Sequence, residues 1–473
     1  MQPFRGRGPG TATLVVTIIL LLVVAVALLT GCELPSFQST PAPDVATDTP
    51  GPLEVPTAKP TDAAFLQTAE ATPLVPSALG QGAGGITLTV WTTEVFSPTQ
   101  AITSGLILAQ QVASFEETNP DVRIQFVLKK PYGKGGILDY LLTTEAVVPA
   151  LLPDVVFIDA DELNAAVQAE VVQALDDLVS PELVADLYPF ARLACTFDGR
   201  LYGLQFQADL DHMVYNTGKL TIPPRSWPGV LSNLGPYIFP AGGQAGLVND
   251  DFLIQYLAVR QWPLDNNSDE PFLDAESLTA VLQFYQDGVS RGVFPTEILN
   301  YHSDDDCWRD YLAGEATMTH VSAHRYLADR EQVPNSAMAP IPAIDGAGAP
   351  ISRGWVLALV ASDPARQSLA VEFMTQLMSP ETNASWNEAA NYLPTRQAAL
   401  ADGVRWPQPP AEAADTEDSY TRFARQQLQM AQPRPRFPMY TQVAAALQKA
   451  VQDTITGSAT PEEAAAQTIE SAQ

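Results

Sequence analysis

Cysteine, histidine and basic side chains are scarce in this sequence of 473 residues, which contains three cysteines and four histidines. So few cysteines exclude the disulfide-stapled scaffold of a small secreted domain, and folding has to rest on an ordinary hydrophobic core. The 25 lysines and arginines are outnumbered by 54 aspartates and glutamates, which gives a formal net charge of -29. Because such a chain repels phosphates, a nucleic-acid partner is excluded.

Long uncharged apolar runs are also rare, and the clearest one lies near the N-terminus. Arg5 and Arg7 precede an uncharged stretch over residues 12–29, and Thr30-Gly31-Cys32 follow it. A basic start and an apolar helix are typical of a secretion leader, and the residues up to Cys32 resemble the lipobox of bacterial lipoproteins. We therefore predict a signal peptide over residues 1–31 and lipidation of Cys32, with an uncleaved transmembrane anchor as the alternative. Both place the remaining chain outside the cytoplasmic membrane, at the cell surface or in the periplasm.

Residues 32–85 are rich in proline, threonine and alanine and poor in aromatic side chains. A segment of this composition cannot bury enough apolar surface to fold. We predict a disordered tether that holds a folded body away from the membrane while letting it reorient.

From Ile86 onward the sequence alternates strand and helix patterns. Alternating apolar residues predict strands at 86–91 and 122–128, and apolar residues at helical spacing before Asn119-Pro120 predict a helix between them. A second helix is predicted at 137–146, and the continuous apolar run at 153–158 is typical of a strand buried on both faces. The predicted fold class is α/β.

Two later helix starts carry capping signals. Asp363 followed by proline is typical of an N-cap with proline at the first helical position. Thr460 and Glu463 have the spacing of a capping box, which predicts that the final helix begins there.

Eleven short segments, in this order, resemble the extracellular solute-binding proteins of ATP-driven importers, the family that includes maltose-binding protein. The segments are Leu88–Trp91, Phe115–Pro120, Pro153–Phe157, Leu175–Leu178, Asp198–Leu204, Val214–Asn216, Pro223–Trp227, Ala313–Met318, Gly354–Ala358, Leu393–Arg396 and Gly457–Glu462. Each segment is weakly specific alone, whereas their common order after a lipobox is specific.

The resemblance implies a two-lobe, type II binding-protein fold whose lobes are joined by hinge strands. It implies one lobe from residues 86–205 with 352–405 and a second from 206–351 with 406–473. The ligand would be bound in the cleft between the lobes, and closure and binding would be linked. The implied partners are a small-molecule ligand and the transmembrane subunits of an ABC permease, and the implied state is a monomer.

Ligands of open α/β sheets bind beyond the carboxyl ends of the strands. Thr93 and Glu94 follow the first predicted strand, and Asp159 and Asp161 follow the third. Their side chains can hydrogen-bond sugar hydroxyls. For the two aspartates, capping of the next helix is an equal alternative.

Four more candidate residues lie further along the chain. The resemblance places a ligand-contacting acid at Asp209, for which a surface position on a hinge strand is the alternative. His324 and Arg325, together with His320, follow a predicted strand, and a surface salt bridge is the alternative for Arg325. Trp355 is the preferred aromatic platform for a sugar ring, although a core position is common for any tryptophan.

Other aromatic candidates are Trp91, Trp262, Trp308, Trp386 and Tyr392. The aromatic positions of maltodextrin-binding relatives correspond to Ile158, His324 and Ala445 here, which argues against maltodextrin recognition.

No signature of catalysis, of a cofactor or of a metal site is found in the sequence. Asp265, Asn267 and Asp269 mimic a calcium loop, but Glu270 stands where that loop needs glycine, which favours a polar turn. Cys195 and Cys307 are assigned to different implied lobes, so we expect two separate thiols.

The sequence thus predicts a lipid-anchored binding protein without enzymatic activity that captures a small ligand, most readily a sugar or oligosaccharide, for an ABC importer. The alternatives are a receptor that presents its ligand to a sensor, and a glycoside-acting enzyme with paired carboxylates.

Overall fold

The computed structural model describes residues 85–233, 235–261, 272–404, 406, 418–436 and 440–471. The described residues belong to one compact unit, Gly80–Gln473. The predicted signal peptide, Cys32, the tether, Trp262 and the calcium-like turn lie outside the described residues.

Among the helices that the structure describes, none combines the length and the apolar character that crossing a membrane requires.

The first sheet has five strands in the order β2-β1-β3-β12-β6. Its strands are β1 (Ile86–Thr92), β2 (Val122–Leu128), β3 (Val155–Asp159), β6 (Leu204–Gln205) and β12 (Trp355–Leu359). The first three are parallel to one another, as the helical connections between them require, and β12 returns antiparallel to β3. The α/β prediction is confirmed, and β3 is the buried strand that its apolar run predicts.

The second sheet has seven strands and is built around β7 (Gln207–Asn216). Its other members are β8 (Tyr237–Ile238), β9 (Met318–Ser322), β10 (Ser336–Ala339), β11 (Ile351–Arg353), β13 (Leu393–Pro394) and β14 (Gln432–Pro433). A separate small hairpin pairs β4 (Thr196–Phe197) with β5 (Arg200–Leu201). Since β11 belongs to the second sheet and β12 to the first, the chain passes between the sheets at Gly354.

Helices cover both sheets. They are α1 (Thr103–Thr118), α2 (Ile137–Val147), α3 (Leu163–Gln168), α4 (Pro181–Asp186), α5 (Pro189–Ala194), α6 (Trp227–Leu231), α7 (Asp250–Arg260), α8 (Ala275–Ser290), α9 (Asp304–Leu312), α10 (Ala323–Asp329), α11 (Pro364–Leu377), α12 (Pro380–Ala390), α13 (Ser419–Met430), α14 (Tyr440–Thr456) and α15 (Pro461–Ser471). Short 3-10 turns lie at Glu94–Phe96, Pro149–Leu151, Thr296–Asn300 and Arg330–Gln332, and a π-helical turn at Ala399–Gly403.

Both predicted caps are present. The Asp363 carboxylate accepts hydrogen bonds from the backbone N–H groups of Ala365 (3.1 Å) and Arg366 (3.0 Å). Thr460 and Glu463 exchange side-chain to backbone hydrogen bonds of 3.2 and 3.0 Å, which is the predicted capping box.

Two hydrophobic cores form, one against each sheet. Phe157 and Trp386 belong to the core of the first sheet, and Phe252 and Trp308 to that of the second. The expectation of two separate thiols is confirmed, since Cys195 and Cys307 are both free and buried, one in each core. The residue boundaries of the two implied lobes stay a prediction.

Candidate functional site

A ring pair and a carboxylate meet at the carboxyl edge of the first sheet. Trp355 opens β12 directly opposite Asp159, the last residue of β3. The Tyr132 hydroxyl donates a 2.7 Å hydrogen bond to Asp159, and the Tyr132 ring centroid lies 5.9 Å from that of Trp355. The ring centroid of Trp355 also lies 5.6 Å from that of Phe96, a residue of the first core. The structure therefore brings two of the predicted residues together, at the edge where ligands of such sheets bind.

Sequence reasoning missed Tyr132. Its loop, 129–136, contains three lysines and three glycines and carries no periodic pattern. The side chain is 53 % exposed and is positioned by Asp159, a residue distant in sequence. An aromatic residue in a loop directly after a strand was the only available signal.

The acidic residues after β3 crowd one another. Asp159 accepts a 2.8 Å hydrogen bond from the Asp161 backbone N–H, so it closes a local turn and does not cap α3. The N-cap position of α3 is Glu162, whose side chain makes no capping bond. Burial, followed by repulsion from Asp159 and Asp161, raises the pKa of Glu162 to about 7. Partial burial, with a smaller effect of Asp159, raises the pKa of Asp161 to about 6, although Arg434 opposes the shift.

Thr93 and Glu94, the two residues predicted after β1, have different environments in the structure. Thr93 is buried, and its hydroxyl has no hydrogen-bond partner among the described residues. Glu94 is exposed in the first turn of a 3-10 helix.

A cavity of about 510 Å³ lies against the second sheet and the helices packed on it. It is lined by Asp209, Asp211, Pro240, Gln244, Leu247, Val248, Asn249, Asp250, Asp251, His302, Ser303, Asp304, Asp305, Ser322, His324, Arg325, Ala328, Arg353, Arg434 and Tyr440. Six aspartates and three arginines among these residues make its wall strongly polar, so it suits a ligand rich in hydrogen-bonding groups.

Asp209 lies on β7 in the wall of this cavity and is 16 % exposed, so the surface alternative is wrong. Its Oδ1 accepts hydrogen bonds of 3.0 Å from the backbone N–H groups of Leu210 and His324. The protein itself thus supplies partners for this carboxylate, and Oδ2, 3.8 Å from Arg353, is the oxygen left for a ligand. Burial raises the pKa of Asp209, while Arg353 opposes the shift.

An arginine and aspartate network stiffens the cavity wall. Arg353 forks onto Asp211 with distances of 2.5 and 2.6 Å and reaches Asp250 at 3.1 Å. Arg434 contacts the same Asp250 at 2.8 and 2.9 Å. Burial works to raise the pKa of Asp211, but Arg353 more than offsets it and holds that pKa below its ordinary value. None of these four residues was predicted from sequence, because β7, β11 and the segment after β14 meet only in the tertiary structure.

His320 lies in the middle of β9, so its expected place after the strand is wrong. Its ring joins Asp251 to Tyr237, whose hydroxyl is 2.5 Å from Nε2, and all three are buried. His320 therefore orients the carboxylate of Asp251, which lines the cavity, although His320 itself does not line it.

Asp211, Asp251 and Asp304 are the group of described residues that could hold a cation, with one oxygen of each within 4.8 Å of the others. Burial and the other two carboxylates raise the pKa of Asp304 well above the usual aspartate range. Since Arg353 and His320 already contact Asp211 and Asp251, this geometry gives no support for a metal site.

His324 and Arg325 both line the cavity at the start of α10. The His324 ring stacks on Tyr392 with centroids 4.2 Å apart. Arg325 lies 2.8 Å from Asp329 and 3.7 Å from Asp305, so the salt-bridge alternative describes its contacts.

The remaining tryptophan candidates among the described residues are buried. Trp308 and Trp386 are fully buried in the two cores, and Trp91 is buried beneath Lys129, whose Nζ lies 4.5 Å from the ring centroid. They are not accessible platforms.

The family model described as bacterial extracellular solute-binding protein matches residues 110–414. Among curated proteins, the maltotriose-binding protein of Pyrococcus abyssi (strain GE5 / Orsay) is 24% identical over 152 residues, which is 31% of this chain and 34% of that protein. The match thus spans about a third of the length of this relative.

Solved structures resemble the whole folded unit. Maltose-bound MalE3 of T. maritima is 20% identical, with a TM-score of 0.60 over 82% of this chain and 98% of its own. The cyclic alpha-maltosyl-1,6-maltose binding protein of Arthrobacter globiformis is 17% identical, with a TM-score of 0.62 over 82% and 98%. At these identities the likeness establishes the fold, and the predicted type II binding-protein fold is confirmed.

Proposed function

Because the chain belongs to the family of bacterial extracellular solute-binding proteins, we propose that it captures a sugar or short oligosaccharide between the edge of the first sheet and the polar cavity. Members of this family bind solutes and are not enzymes, as the sequence predicts for this chain. The observation that carries the proposal is the hydrogen bond between Arg434, in the cavity wall, and Asp161, beside Asp159 at the sheet edge. The ring pair and the cavity are therefore neighbouring parts of one surface.

The chemistry of the two parts suits a sugar. The C–H face of a sugar ring packs on an aromatic face, and Tyr132 with Trp355 offers such a surface. Hydroxyl pairs are bound by carboxylates and guanidinium groups, which Asp209 and Arg353 supply. Tyr440 is the one tyrosine of the cavity wall, so recognition in the cavity depends on hydrogen bonds rather than on stacking.

The names of the relatives support a carbohydrate, since they include binding proteins for maltose and maltotriose. Two of the aromatic positions typical of maltodextrin sites are occupied here by Ile158, which is buried, and by His324, which is stacked on Tyr392. We therefore propose a sugar shorter than, or different from, a linear maltodextrin.

We propose that cleavage before Cys32 and lipidation anchor the protein on the outer face of the cytoplasmic membrane, with residues 32–85 as tether. The two lobes, with the boundaries given above, would then present the ligand to the transmembrane subunits of an ABC permease. The leader, its lipobox and the family membership support this arrangement.

Thermal unfolding of the full chain against monosaccharides, linear and cyclic oligosaccharides, polyols, amino acids and peptides tests the proposed ligand. A sugar at ~100 times its dissociation constant stabilises the folded state by ~2.7 kcal/mol, which raises the melting temperature by a few degrees. The shift should be lost in Trp355→Ala and Tyr132→Ala. Tyr202 packs against the first core and Phe197 and does not line the cavity, so Tyr202→Ala is the matched control that should keep the shift. Stabilisation by amino acids or peptides alone would refute the sugar.

A further inference from the structure

An ion pair links residues at the ends of strands from the two sheets. Arg434 follows β14 of the second sheet, and its Nη1 donates to the carboxylate of Asp161, which follows β3 of the first sheet. We infer that Asp161 and Arg434 form a latch that favours approach of the two sheets before any ligand is bound. The inference rests on the proposed function only in taking the cavity as the ligand site.

The Arg434 side of the latch is fixed in the cavity wall. Its Nε and Nη2 donate to the two oxygens of Asp250 at 2.9 and 2.8 Å, and Arg353 contacts the same carboxylate at 3.1 Å. Two nitrogens of the guanidinium are thus committed to the second sheet's side, and Nη1 is the one that reaches across. A planar fork with three occupied positions is a directional contact that lysine could not reproduce.

The Asp161 side is positioned by its backbone. The Asp161 N–H donates to Asp159 Oδ1 at 2.8 Å, which ties the residue to the end of β3. Its side chain is 43 % exposed and that of Arg434 is 27 % exposed, so water can reach the pair. An ion pair of this exposure is weak enough to open and is sensitive to salt.

A second contact from the same segment supports the arrangement. Two residues beyond Arg434, Arg436 donates to the carbonyl oxygen of Ala194 and lies 4.1 Å from the ring centroid of Phe197, which packs on the first core. Residues 432–436 therefore run from a strand of the second sheet onto the side of the first. We call this segment the strap.

The latch should affect ligand affinity, because approach of the two sheets and ligand binding are linked equilibria. A ligand that needs both sheet edges binds with an affinity reduced by the fraction of molecules in which the edges are apart. The latch raises the fraction with the edges together, and because Arg434 also lines the cavity, a ligand in the cavity contacts the latch itself. Arg434 is on this account a positioning residue that couples the cavity to the first sheet.

Distance measurement without ligand tests the latch in the full chain. Spin labels at Glu117→Cys, in α1 beside the first sheet, and Glu315→Cys, just before β9 of the second sheet, report the separation, and both positions are exposed. The labelled chains carry Cys32→Ser, while Cys195 and Cys307 stay buried. Asp161→Asn should raise the ratio of open to closed molecules about fivefold. Asp161→Glu should restore most of the closed population, and high salt should open the parent protein without affecting Asp161→Asn.

The matched control is Asp176→Asn. Asp176 is 39 % exposed and pairs with Arg200 at 3.5 Å, away from the cavity, so this variant also loses an exposed ion pair. Its distances should equal those of the parent. Equal distances in Asp161→Asn and the parent, or equal opening in both variants, would overturn the latch. Because no ligand is used, a chain that binds no sugar would refute the proposed function and leave this measurement valid.

Discussion

Three acidic residues within four positions at the end of β3 have different environments. Asp159 accepts from Tyr132 and closes a turn, Asp161 contacts Arg434, and one oxygen of Glu162 is buried without a hydrogen-bond partner among the described residues. Neighbouring negative charges and burial both disfavour the ionised form of a carboxylate. Burial and the neighbouring charges therefore both oppose ionisation of Glu162 in the folded protein.

The pKa of Glu162, raised to about 7 in the folded protein, gives a pH-dependent effect of known sign. The folded state binds this proton more tightly than the unfolded state, so its contribution to stability is complete below about pH 4 and is lost as the pH rises through about 7. Glu162→Gln should raise the melting temperature by about 1–2 °C at pH 8 and leave it unchanged at pH 4.

His212 also makes stability depend on pH, because burial lowers its pKa to about 4 and the fold loses stability as the pH falls. Variant and parent share His212, so the difference between their melting temperatures reports Glu162 alone. Glu145→Gln, on the exposed face of α2, is the control and should give no difference between the two pH values. A variant that is less stable than the parent at pH 8 would contradict the prediction.

At the scale of elements, the crossing between β11 and β12 joins the two sheets within one residue. Gly354 lies between Arg353 of the cavity wall and Trp355 of the sheet edge. A Cβ at this glycine would lie 2.2 Å from the Gln207 carbonyl oxygen and 2.5 Å from Gln205 Nε2. The strands approach so closely there that only glycine fits.

Gly354→Ala should therefore lower the free energy of unfolding by about 1–3 kcal/mol, because backbone has to move to relieve the contact. Chemical denaturation measures the loss. Gly346→Ala is the matched control, since a Cβ at Gly346 meets no atom within 4 Å, and it should unfold like the parent. Equal stability of the two variants would show that the crossing is not tightly packed.

At the scale of the whole molecule, no disulfide between Cys195 and Cys307 joins the two cores. Each contains one free cysteine, and burial raises the pKa of Cys195 to about 12 and that of Cys307 still further. A buried thiol with a raised pKa is unreactive, since the thiolate is the nucleophile. No covalent link between the cores opposes a hinge motion at these two positions.

In protein purified without reductant, Cys195 and Cys307 should resist alkylation while folded and both react once the chain is unfolded. Peptide mass spectrometry follows each site separately from Cys32. The introduced cysteine of Glu117→Cys, which is exposed, should react in the folded protein and confirms that the reagent is active. A disulfide-linked peptide containing Cys195 and Cys307 would contradict the prediction.

The sequence pointed to two residues that the structure places side by side at the edge of the first sheet. Asp159 was predicted because ligands of such sheets bind beyond the carboxyl ends of the strands, and Trp355 was predicted as an aromatic platform where a strand returns near the crossing. Tyr132 and Arg434 were not found, because a loop residue and a residue of an irregular segment carry no periodicity that reveals their neighbours. The stacking of His324 on Tyr392 was hidden for the same reason.

By itself the sequence determined the α/β class, the first three parallel strands, both helix caps and the family. Those features depend on local spacing and on short-range hydrogen bonds, which the order of residues specifies directly. Only the tertiary structure decided that Arg353, Arg434 and Asp250 form one network and that Asp161 reaches it from the other sheet. Such contacts join residues up to several hundred positions apart, and their partners are chosen by packing and by the need to balance buried charge.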